Sequence, residues 1–309
     1  MPNLRCKTKE GSDRRIPSVS IGVPVFNGEE TLAQMLNSLL RQTFSDFEII
    51  ISDNASTDKT AEIAKNYAGM DERIRYKRQA ENIGPELNFK YVLDEARARF
   101  FMWSAADDIR SPDFVQENFN FLELHPDYVA STSPNCFEGQ SLVALVRFEL
   151  SGPEDDRIKD FFKNCWVSHG IFYSLIRTDV LRACEVVGQS FLGADWAVDL
   201  YLASGGKMHR TQLGLMVSGA NGISNSANAW KRYRASPVSW LLPFYKVSLY
   251  TLKLTSHRPL KVRMHYLKIL FELNMRAAYS QFHAEFYPAY SRKIRPWINK
   301  LRGKKSCNS

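Results

Sequence analysis

The spacing of hydrophobic residues in the front part of the chain switches between strand and helix periods. From Val19 to Val25 an apolar residue stands at every second position, which is the period of a strand. From Leu32 to Leu40 the apolar residues recur at intervals of three and four, which indicates an amphipathic helix. An almost continuous apolar run at 47–51 is typical of a strand that is covered on both faces. The pattern predicts a strand, a helix and a second strand in succession.

The same alternation continues toward the middle of the chain. It predicts a helix at about 59–68, a strand at 74–77, a helix at about 86–98 and a strand at 100–104. The pair Ser111-Pro112 predicts the start of another helix, because Ser is a favoured N-cap and Pro a favoured first helical residue. Repeated strand–helix units predict a doubly wound, mostly parallel α/β sheet.

The middle of the chain is patterned less regularly. Strands are predicted at 170–176 and 207–217, and helices at 178–184 and 194–204. The second of these helices is followed by Gly205-Gly206, and glycine commonly ends helices.

The composition changes after Asn221. Small polar residues give way to aromatic and basic ones, and segment 238–252 has the mixture of a helix that lies flat in a membrane interface. Pro259 begins a long amphipathic helix, whose apolar stripe consists of Leu260, Met264, Leu267, Phe271, Met275, Ala278 and Phe282. This stripe either packs on the rest of the chain or faces a membrane surface.

The charge of the chain is divided unevenly. Residues 230–309 contain 17 Lys and Arg against two acids, Glu272 and Glu285, which gives them a net charge of +15. The whole chain carries +8, so the preceding residues carry −7. An acidic front part and a basic back part predict that the back part meets an anionic surface, either membrane or nucleic acid.

Cysteine usage and the ends of the chain predict a cytoplasmic location. The five cysteines are odd in number and widely spaced, with no CxxC pair, so neither a disulfide framework nor a zinc site is indicated. The basic, polar start lacks the apolar segment of a secretory signal. No stretch of 18 or more apolar residues is present, so no transmembrane helix is predicted.

Three polar clusters follow predicted strands, at 26–30, 52–54 and 107–108. In open α/β sheets ligands bind beyond the carboxyl ends of the strands, so the three clusters are expected on one rim. Asn27 and Glu30 of the first cluster are therefore candidate ligand-binding residues.

The pair Asp107-Asp108 allows two interpretations. Two adjacent carboxylates repel each other when buried, and a divalent cation would remove that repulsion and leave positions for phosphate oxygens. Carboxylates without neighbouring Cys or His favour Mg²⁺ or Mn²⁺ over zinc. The alternative is a solvated turn before a helix.

Asp53 and Phe26 are also open to two interpretations. Asp53 follows a buried strand and could accept a hydrogen bond from a nucleobase, or it could only form an Asx turn. Phe26 could stack on a base or belong to the core.

The front part resembles family 2 glycosyltransferases, which have the GT-A fold. The likeness rests on ordered, dense matches: VSIGVPVFNGEETL (19–32), SLLRQTFSDFEIIISDNASTDKT (38–60), ENIGPELN (81–88) and WSAADDIRSPDF (103–114). Sparser matches follow at GIFYSLIRTDVL (170–181) and GADWAVDLYLASGGK (193–207). The resemblance implies an inverting transferase that uses a nucleoside diphosphate sugar, with a UDP-sugar favoured.

The resemblance also assigns donor contacts. By this likeness Pro24 and Phe26 border the base and Asp53 binds its uracil-like edge. It further implies that Arg78 or Asn82 contacts the base or the ribose.

The metal and the base follow from the same resemblance. It implies that Asp107 holds the ribose or the metal and that Asp108 holds a Mn²⁺ or Mg²⁺ ion between the diphosphate oxygens. Asp195, in the position of an acidic pair that opens a helix in the family, is the implied catalytic base. Without the likeness, Asp195 reads as an aspartate favoured by the helix dipole.

The chain departs from the family pattern in two places. Ala105 and Ala106 stand where many members have an earlier acid, and SGANGISNSANAW (218–230) stands where many have an Arg-x-His segment. His209 is close to that segment in sequence, but a single histidine is more often structural, so no third metal ligand is assigned.

The predicted organisation has three parts. Residues 1–15 are a flexible basic tail, 16–220 a GT-A catalytic domain divided into a nucleotide-sugar half to residue 127 and an acceptor half, and 221–309 a basic helical region. We expect a saccharide or lipid-linked acceptor, a role in surface polysaccharide synthesis, and peripheral attachment at the inner face of an anionic membrane.

Two alternative functions are kept. One is a nucleotide-sugar binder or nucleotidyltransferase of similar fold, which would need no base at Asp195. The other is a nucleic-acid-binding module built on the basic segment, in which aromatic residues stack on bases. That module gives no reason for three acidic clusters on strand ends, so no nucleic-acid partner is expected.

Overall fold

The computed structural model describes residues 15–139, 146, 148–219, 232–234 and 236–289. The strands are β1 (Val19–Val25), β2 (Phe47–Asp53), β3 (Ile74–Arg78), β4 (Phe100–Trp103), β5 (Ile109–Arg110), β6 (Tyr128–Thr132), β7 (Asn135–Phe137), β8 (Leu175–Arg177), β9 (Lys207–Arg210) and β10 (Met216–Ser218). The helices are α1 (Leu32–Leu40), α2 (Thr60–Met70), α3 (Pro85–Asp94), α4 (Phe114–Leu124), α5 (Glu154–Asn164), α6 (His169–Phe172), α7 (Thr178–Arg182), α8 (Ala194–Gly205), α9 (Pro237–Leu241), α10 (Tyr245–Leu254) and α11 (Leu260–Ala289).

The described strands form a large sheet and a small one. The large sheet has the order β3-β2-β1-β4-β8-β6-β9, and the small one the order β5-β10-β7. Strand β1 pairs in parallel with β2 and β4, and β2 pairs in parallel with β3. Strand β8 is antiparallel to β4 and β6. The predicted α/β class with a mostly parallel, helix-flanked sheet is confirmed.

Helices cover both faces of the large sheet, so β1, β2 and β4 are buried along their whole length. On one face, Leu36 of α1 and Phe114 of α4 pack with alternate residues of β1 and β2. On the other face, Val92 of α3 packs with Phe101 and Trp103 of β4. Burial on both sides is the physical reason that these strands are apolar at nearly every position.

The predicted strand at 170–176 is wrong for its first half. Residues His169–Phe172 form α6, and the strand begins only at Leu175. Local hydrogen bonds decide this, because the Ser174 amide donates to the Ile171 carbonyl at 3.1 Å and the Ser174 hydroxyl donates to the same oxygen at 2.6 Å. The Phe172 ring stacks on Trp103 at 4.5 Å instead of extending a strand.

The predicted single strand at 207–217 is divided between the two sheets, as β9 and β10. A turn separates them, in which Gly214 has a φ of 79° and the Thr211 hydroxyl donates to the Leu213 carbonyl at 2.6 Å. A positive φ interrupts an extended strand and favours glycine.

The predicted helix at 86–98 ends early, at Asp94. The guanidinium of Arg182 donates to the carbonyls of Leu93, Asp94 and Ala96, at 3.1, 3.2 and 2.5 Å. These side-chain donors satisfy carbonyls that a longer helix would have used.

The helix predicted to begin at Ser111-Pro112 begins instead at Phe114, with Asp113 at the cap position. The Ser111 hydroxyl accepts the Leu215 N–H at 2.8 Å and so joins this turn to the segment that leads into β10. Ser111 therefore connects two parts of the fold and does not cap α4.

Helices α10 and α11 complete the core on the α3 and α8 side of the sheet. The Phe244 ring stacks on Trp196 at 4.7 Å, and Val247 is fully buried. Asn274 of α11 accepts the Phe244 N–H at 2.8 Å and donates to the Ser248 hydroxyl at 2.9 Å. The inner face of segment 238–252 thus packs against protein, so the expectation that this segment lies flat in a membrane interface is wrong for that face.

Helix α11 packs through a face that the apolar stripe does not include. Its buried residues are Tyr266, Leu270, Leu273, Asn274, Ala277 and Gln281. Six of the seven stripe residues are more than a third exposed, from Met275 at 39% to Leu260 at 70%. No helix among the described residues has both the length and the apolar character that crossing a bilayer requires.

Candidate active site

Three strand ends form the rim on which the predicted site residues lie. In the parallel register Val25 stands opposite Asp53, and Gly22 stands opposite Trp103. The chain therefore leaves β1, β2 and β4 at the same edge of the sheet, which is where open α/β folds bind ligands.

The turn after β1 is fixed to the turn after β2. Asn27 has a φ of 51°, its N–H donates to the Ser56 hydroxyl at 2.9 Å, and its Oδ1 accepts the Thr57 N–H at 2.9 Å. Phe26 remains 49% exposed at this rim, and Glu30 is exposed beside it. Pro24 is buried within β1. Of the predicted donor contacts in this turn, Phe26 has the accessible ring that stacking on a base requires.

Asp53 is fully buried and makes several hydrogen bonds. Its Oδ1 accepts the Ser56 N–H at 2.8 Å, while its Oδ2 accepts from the Tyr76 hydroxyl and the Arg78 guanidinium, both at 3.0 Å. Arg78 also donates to the Ser56 carbonyl at 2.7 Å. Asp53 and Arg78 thus belong to one network that holds the β2 turn against β3.

Asn54 was not singled out in the sequence, and it organises the second side of the rim. Its N–H donates to the Val25 carbonyl at 2.8 Å, and its Oδ1 accepts the Ile83 N–H at 2.8 Å. Its Nδ2 donates to Oδ1 of Asn82 at 3.0 Å. The one available signal was its position directly after Asp53 in a turn cluster.

Asp108 lies almost completely buried at the end of the β4 turn, with an exposure of 2%. Burial raises the pKa of its carboxyl to about 6. The negative charge of Asp107 adds to this shift, and the positive charge of Arg110 opposes it. Backbone N–H groups of Gly219 and Ala105 donate to it, but its Oδ2 has no hydrogen-bond partner among the described residues.

The surroundings of Asp108 fit a divalent cation. A buried carboxylate oxygen without a donor is costly, and a hard cation would satisfy it while offsetting the repulsion between Asp107 and Asp108. Among the described residues no three acidic, His or Cys side chains are grouped closely enough to hold a metal by themselves. A cation held by one or two carboxylates commonly completes its coordination with substrate phosphates and water.

Arg110 is a buried cation that the sequence analysis passed over. Its guanidinium donates to the Ser104 hydroxyl at 2.6 Å and to the Trp103 carbonyl at 2.9 Å. Burial lowers the pKa of Arg110, and the charge of Asp108 opposes that shift. Arg110 therefore stabilises the turn between β4 and β5 and partly balances the Asp108 charge.

Gly219 brings the segment after β10 against Asp107. A Cβ at Gly219 would collide with the Asp107 carboxylate, so only glycine allows this approach. The rest of SGANGISNSANAW lies outside the described residues. His209 is not near the pair: its ring stacks on Phe121 at 3.7 Å and pairs with Glu149 at 3.1 Å.

Tyr173 links the aspartate pair with Asp195. Burial, and then the negative charges of Asp108, Asp107 and Asp195, raise the pKa of its phenol well above the ordinary value. All three carboxylates therefore act electrostatically on this one phenol, although they come from the two halves of the chain.

Asp195 occupies the first turn of α8, directly after Gly193 and Ala194. Gly193 has a φ of 81°, and a Cβ there would come within 3.0 Å of Val247 and Phe244. The tight approach of α10 to this glycine fixes where α8 begins and hence where Asp195 lies.

Asp199, one turn further along α8, is a second carboxyl that the sequence analysis missed. It is 1% exposed, its Oδ1 has no hydrogen-bond partner among the described residues, and its Oδ2 is 3.5 Å from the Ser168 hydroxyl. Burial and the charge of Asp195 raise its pKa well above the ordinary value, which favours the neutral form of Asp199.

A short segment of the basic region also reaches the site. The Tyr233 hydroxyl donates to Glu86 of α3 at 2.7 Å, and Arg232 pairs with the same carboxylate at 3.2 Å. Burial and Glu86 raise the pKa of Tyr233, with a smaller contribution from Asp195. Tyr233 therefore lies between the start of α3 and the start of α8.

Comparison with protein families gives one match, to the model described as "Glycosyl transferase family 2", over residues 20–183. An uncharacterized glycosyltransferase of Haemophilus influenzae is 32% identical over 256 residues, which are 71% of this chain and 99% of that protein.

Two relatives from Bacillus subtilis are matched over shorter stretches. The putative glycosyltransferase EpsE is 33% identical over 113 residues, 36% of this chain and 41% of that protein. The putative teichuronic acid biosynthesis glycosyltransferase TuaG is 29% identical over 153 residues, 48% of this chain and 58% of that protein. The chain thus spans about half the length of these two relatives.

Two solved structures share the fold at low identity. Staphylococcus aureus TarS 1-349 in complex with UDP-GlcNAc has a TM-score of 0.58 and 18% identity, and the match covers 93% of this chain and 80% of that chain. The mannosyltransferase PcManGT of Pyrobaculum calidifontis, in complex with GDP-Man and Mn²⁺, has a TM-score of 0.51 and 16% identity, over 94% of this chain and 88% of the other.

Proposed function

Because the chain belongs to glycosyl transferase family 2 and is a glycosyltransferase, we propose that it moves a sugar from a nucleoside diphosphate sugar, with a UDP-sugar favoured, to a saccharide or lipid-linked acceptor. The observation that carries the proposal is the buried Asp108 carboxylate, whose Oδ2 has no hydrogen-bond partner among the described residues, at the rim where β1, β2 and β4 end. A transferase needs its diphosphate site and its base close together, whereas a nucleotide-sugar binder or a nucleotidyltransferase needs no base at Asp195.

The donor base is assigned to the rim between the β1 and β2 turns. Phe26 stacks on the base through its exposed ring, next to Pro24, Asn27 and Glu30 of the same strand end. Asp53 can accept a further hydrogen bond. Its two carboxylate oxygens offer about four lone-pair sites, and three of these are occupied by donors of Ser56, Tyr76 and Arg78. Arg78 is 43% exposed and binds the base or ribose together with Asn82. The TarS complex with UDP-GlcNAc supports a uridine donor.

Asp107 and Asp108 are assigned to the diphosphate. They would hold a Mn²⁺ or Mg²⁺ ion, and a divalent cation bound there supplies neutralisation of the charge that develops on the leaving diphosphate. The orphaned Oδ2 of Asp108 and the Mn²⁺ in the PcManGT complex support this assignment. Asp107 also contacts the ribose.

Asp195 is assigned as the general base. The acceptor hydroxyl oxygen forms a bond to the anomeric carbon, the bond from that carbon to the diphosphate oxygen breaks, and the hydroxyl proton passes to the Asp195 carboxylate. Attack from the side opposite the leaving group inverts the anomeric centre. Burial and the charge of Asp195 raise the pKa of neighbouring Asp199, which favours its neutral form and limits the repulsion between the two carboxyls.

The proposed setting is surface polysaccharide synthesis at the inner face of the membrane. The name of TuaG, a teichuronic acid biosynthesis glycosyltransferase, supports an extracellular polysaccharide as the product. The net charge of +15 over residues 230–309 supports attachment to anionic lipid.

The variant Asp195→Asn tests the base. It is expected to bind the donor with unchanged affinity in calorimetry and to lose at least about a hundredfold in sugar transfer, because general base catalysis contributes about 10²–10⁴ in rate. Transfer is measured as labelled sugar moved from UDP-sugars to a lipid and polysaccharide extract. Asp179→Asn is the matched control, since Asp179 also lies in the first turn of a helix. Near-normal turnover of Asp195→Asn would place the base elsewhere.

A further inference from the structure

Helix α11 has two apolar faces, of which only one is covered. Tyr266, Leu270 and Ala277 pack into the core, with exposures between 0% and 2%. The other face exposes large apolar side chains that recur every three or four residues: Leu260, Met264, Leu267, Phe271, Met275, Tyr279 and Phe282. Such a continuous exposed stripe on one helix is typical of a surface that meets a partner or a membrane.

Cations border the exposed stripe. Lys261 and Lys268 are exposed one position after stripe residues, and Arg276 is exposed further round the same side of the helix. Glu272 is the acid on this border, whereas the exposed Glu285 is paired with Arg234 at 3.2 Å. An apolar face with a cationic edge has the composition of helices that lie in the headgroup region of a bilayer.

A cleft of about 330 Å³ opens between this border of α11 and α5. Lys159, Lys163, His265 and Arg276 contribute cationic or titratable groups to its lining, against the acid Glu272. The two lysines also pair with Asp156 at 3.4 Å and Asp160 at 2.7 Å, respectively. Trp166 adds an aromatic ring that is 48% exposed. The cleft therefore combines positive charge with an interfacial type of aromatic residue next to the apolar stripe.

We propose that the exposed stripe of α11 docks on an anionic bilayer, with a lipid phosphate headgroup seated in the cleft between α5 and α11. The stripe inserts at the level of the acyl boundary, and Lys261 and Lys268 extend to the headgroups, since long basic side chains bury their stems and keep their charges in water. Each of these contacts matches an apolar group with the acyl region or a cation with a phosphate.

Charge decides against the other possible occupants of the stripe. In a symmetric pair of chains the same lysine border would meet itself, and like charges across an interface are unfavourable. Residues 290–309 carry seven Lys and Arg and no acid, so their charge also opposes a place over this border. An anionic lipid surface is the occupant whose sign is complementary.

The docking surface is next to the candidate acceptor side. Trp166 of the cleft contacts Trp196 at a ring distance of 5.1 Å, and Trp196 follows Asp195 directly in α8. Docking would thus bring a lipid-linked acceptor to the side of the site where Asp195 lies. Attachment to anionic lipid belongs to the proposed function, and its assignment to the stripe and the cleft deepens it. Only the delivery of a lipid-linked acceptor requires the transferase activity.

Co-sedimentation of the full chain with vesicles tests the proposal. We expect binding to phosphatidylcholine vesicles that contain phosphatidylglycerol, and a loss of at least about tenfold in partition coefficient for Met264→Ser/Phe271→Ser. The matched control is Met70→Ser/Leu124→Ser, whose residues are 73% and 77% exposed on α2 and α4. Equal losses in both double variants would overturn the assignment to α11.

A second pair of variants tests the charges. Lys163→Gln/Arg276→Gln is expected to reduce binding about fivefold for each cation removed, while Arg41→Gln/Lys65→Gln, with exposed cations elsewhere, leaves binding unchanged. Equal binding to pure phosphatidylcholine vesicles would contradict the headgroup seat. Inorganic phosphate in the buffer should compete only weakly, because it offers no acyl region.

Donor binding in solution separates this proposal from the proposed function. A chain that binds UDP in calorimetry but no anionic vesicle would overturn the docking surface and leave the transferase intact. A chain that binds vesicles through α11 but no nucleotide would overturn the proposed transferase function and leave the docking surface intact. A wild-type dimer that Met264→Ser/Phe271→Ser converts to a monomer, without vesicle binding, would assign the stripe to a second copy.

Discussion

Asp199 is a residue of the candidate site whose burial is unfavourable for the stability of the folded chain. Its carboxyl is buried next to a second carboxylate, and one of its oxygens has no hydrogen-bond partner among the described residues. Because its pKa is raised above the unfolded value, the Asp199 carboxyl keeps its proton to a higher pH in the folded chain than in the unfolded chain. Stability contributed by this group is therefore highest below the unfolded pKa and falls as the pH rises.

Replacing Asp199 by Asn tests this account. The amide cannot ionise, so we expect Asp199→Asn to raise the free energy of unfolding at pH 7 by about 1–3 kcal/mol, since each pKa unit of difference between the folded and unfolded chain corresponds to about 1.4 kcal/mol. At a pH below the ordinary aspartate pKa, both proteins carry a neutral side chain and the difference should vanish. Urea titrations at the two pH values measure it, and a difference that does not depend on pH would contradict the raised pKa.

For single residues, the sequence predicted the candidate carboxylates but not the side chains that lie near them in the fold. Asp53 and Asp108 were predicted because each stands at the end of a predicted strand, and Asp195 because the family resemblance implies a base at its position. Tyr173 and Arg110 were missed, because one lies within an apolar run and the other two residues after an acid. Only the folding of β4 and α6 against each other shows that they share the site with those carboxylates.

The start of α8 is the element on which the position of Asp195 depends. Gly193 has a left-handed backbone conformation and lies under Phe244 and Val247 of the basic region. An added methyl group would meet both the strain of a positive φ and a steric contact, and neither arises at Gly205 at the other end of the same helix, where a Cβ would meet nothing within 4 Å.

The variants Gly193→Ala and Gly205→Ala form a matched pair. We expect Gly193→Ala to lower the free energy of unfolding by about 1–3 kcal/mol through strain and crowding. Gly205→Ala should change it by less than about 1 kcal/mol, and in the stabilising direction. Thermal unfolding of both proteins measures the contrast, and equal stabilities would show that the start of α8 is not fixed in this way.

Helices and strands were predictable where the period of apolar residues in the sequence matches the residues that are buried. Strands β1, β2 and β4 are buried along their whole length, and helix α1 buries one apolar stripe, so their sequences follow simple periods. The predicted strands at 170–176 and 207–217 failed because tertiary hydrogen bonds and a positive φ override the apolar pattern there. Side-chain donors from distant residues, such as Arg182 at the end of α3, leave no signal in the local sequence.

In the whole molecule, the candidate site lies in the acidic part of the chain, and the basic part completes the core beside it. Phe244, Val247 and Leu270 of the basic region share one core with Phe161 and Ala197. The sequence showed the apolar stripe of α11 and the charge of +15 but not which face of the helix is covered, since both faces carry apolar residues. Packing through Tyr266 and Leu270 leaves the stripe outside.

The central claim is that Asp107 and Asp108 form the diphosphate corner of a nucleotide-sugar site, and calorimetric titration with UDP tests it most directly. We expect wild-type protein to bind UDP more tightly with Mn²⁺ than without, and GDP more weakly than UDP. Asp108→Asn should lose the dependence on Mn²⁺, while Asp94→Asn, an exposed aspartate on α3, should keep it. UDP affinity that is the same in Asp108→Asn and wild type, with and without Mn²⁺, would contradict the claim.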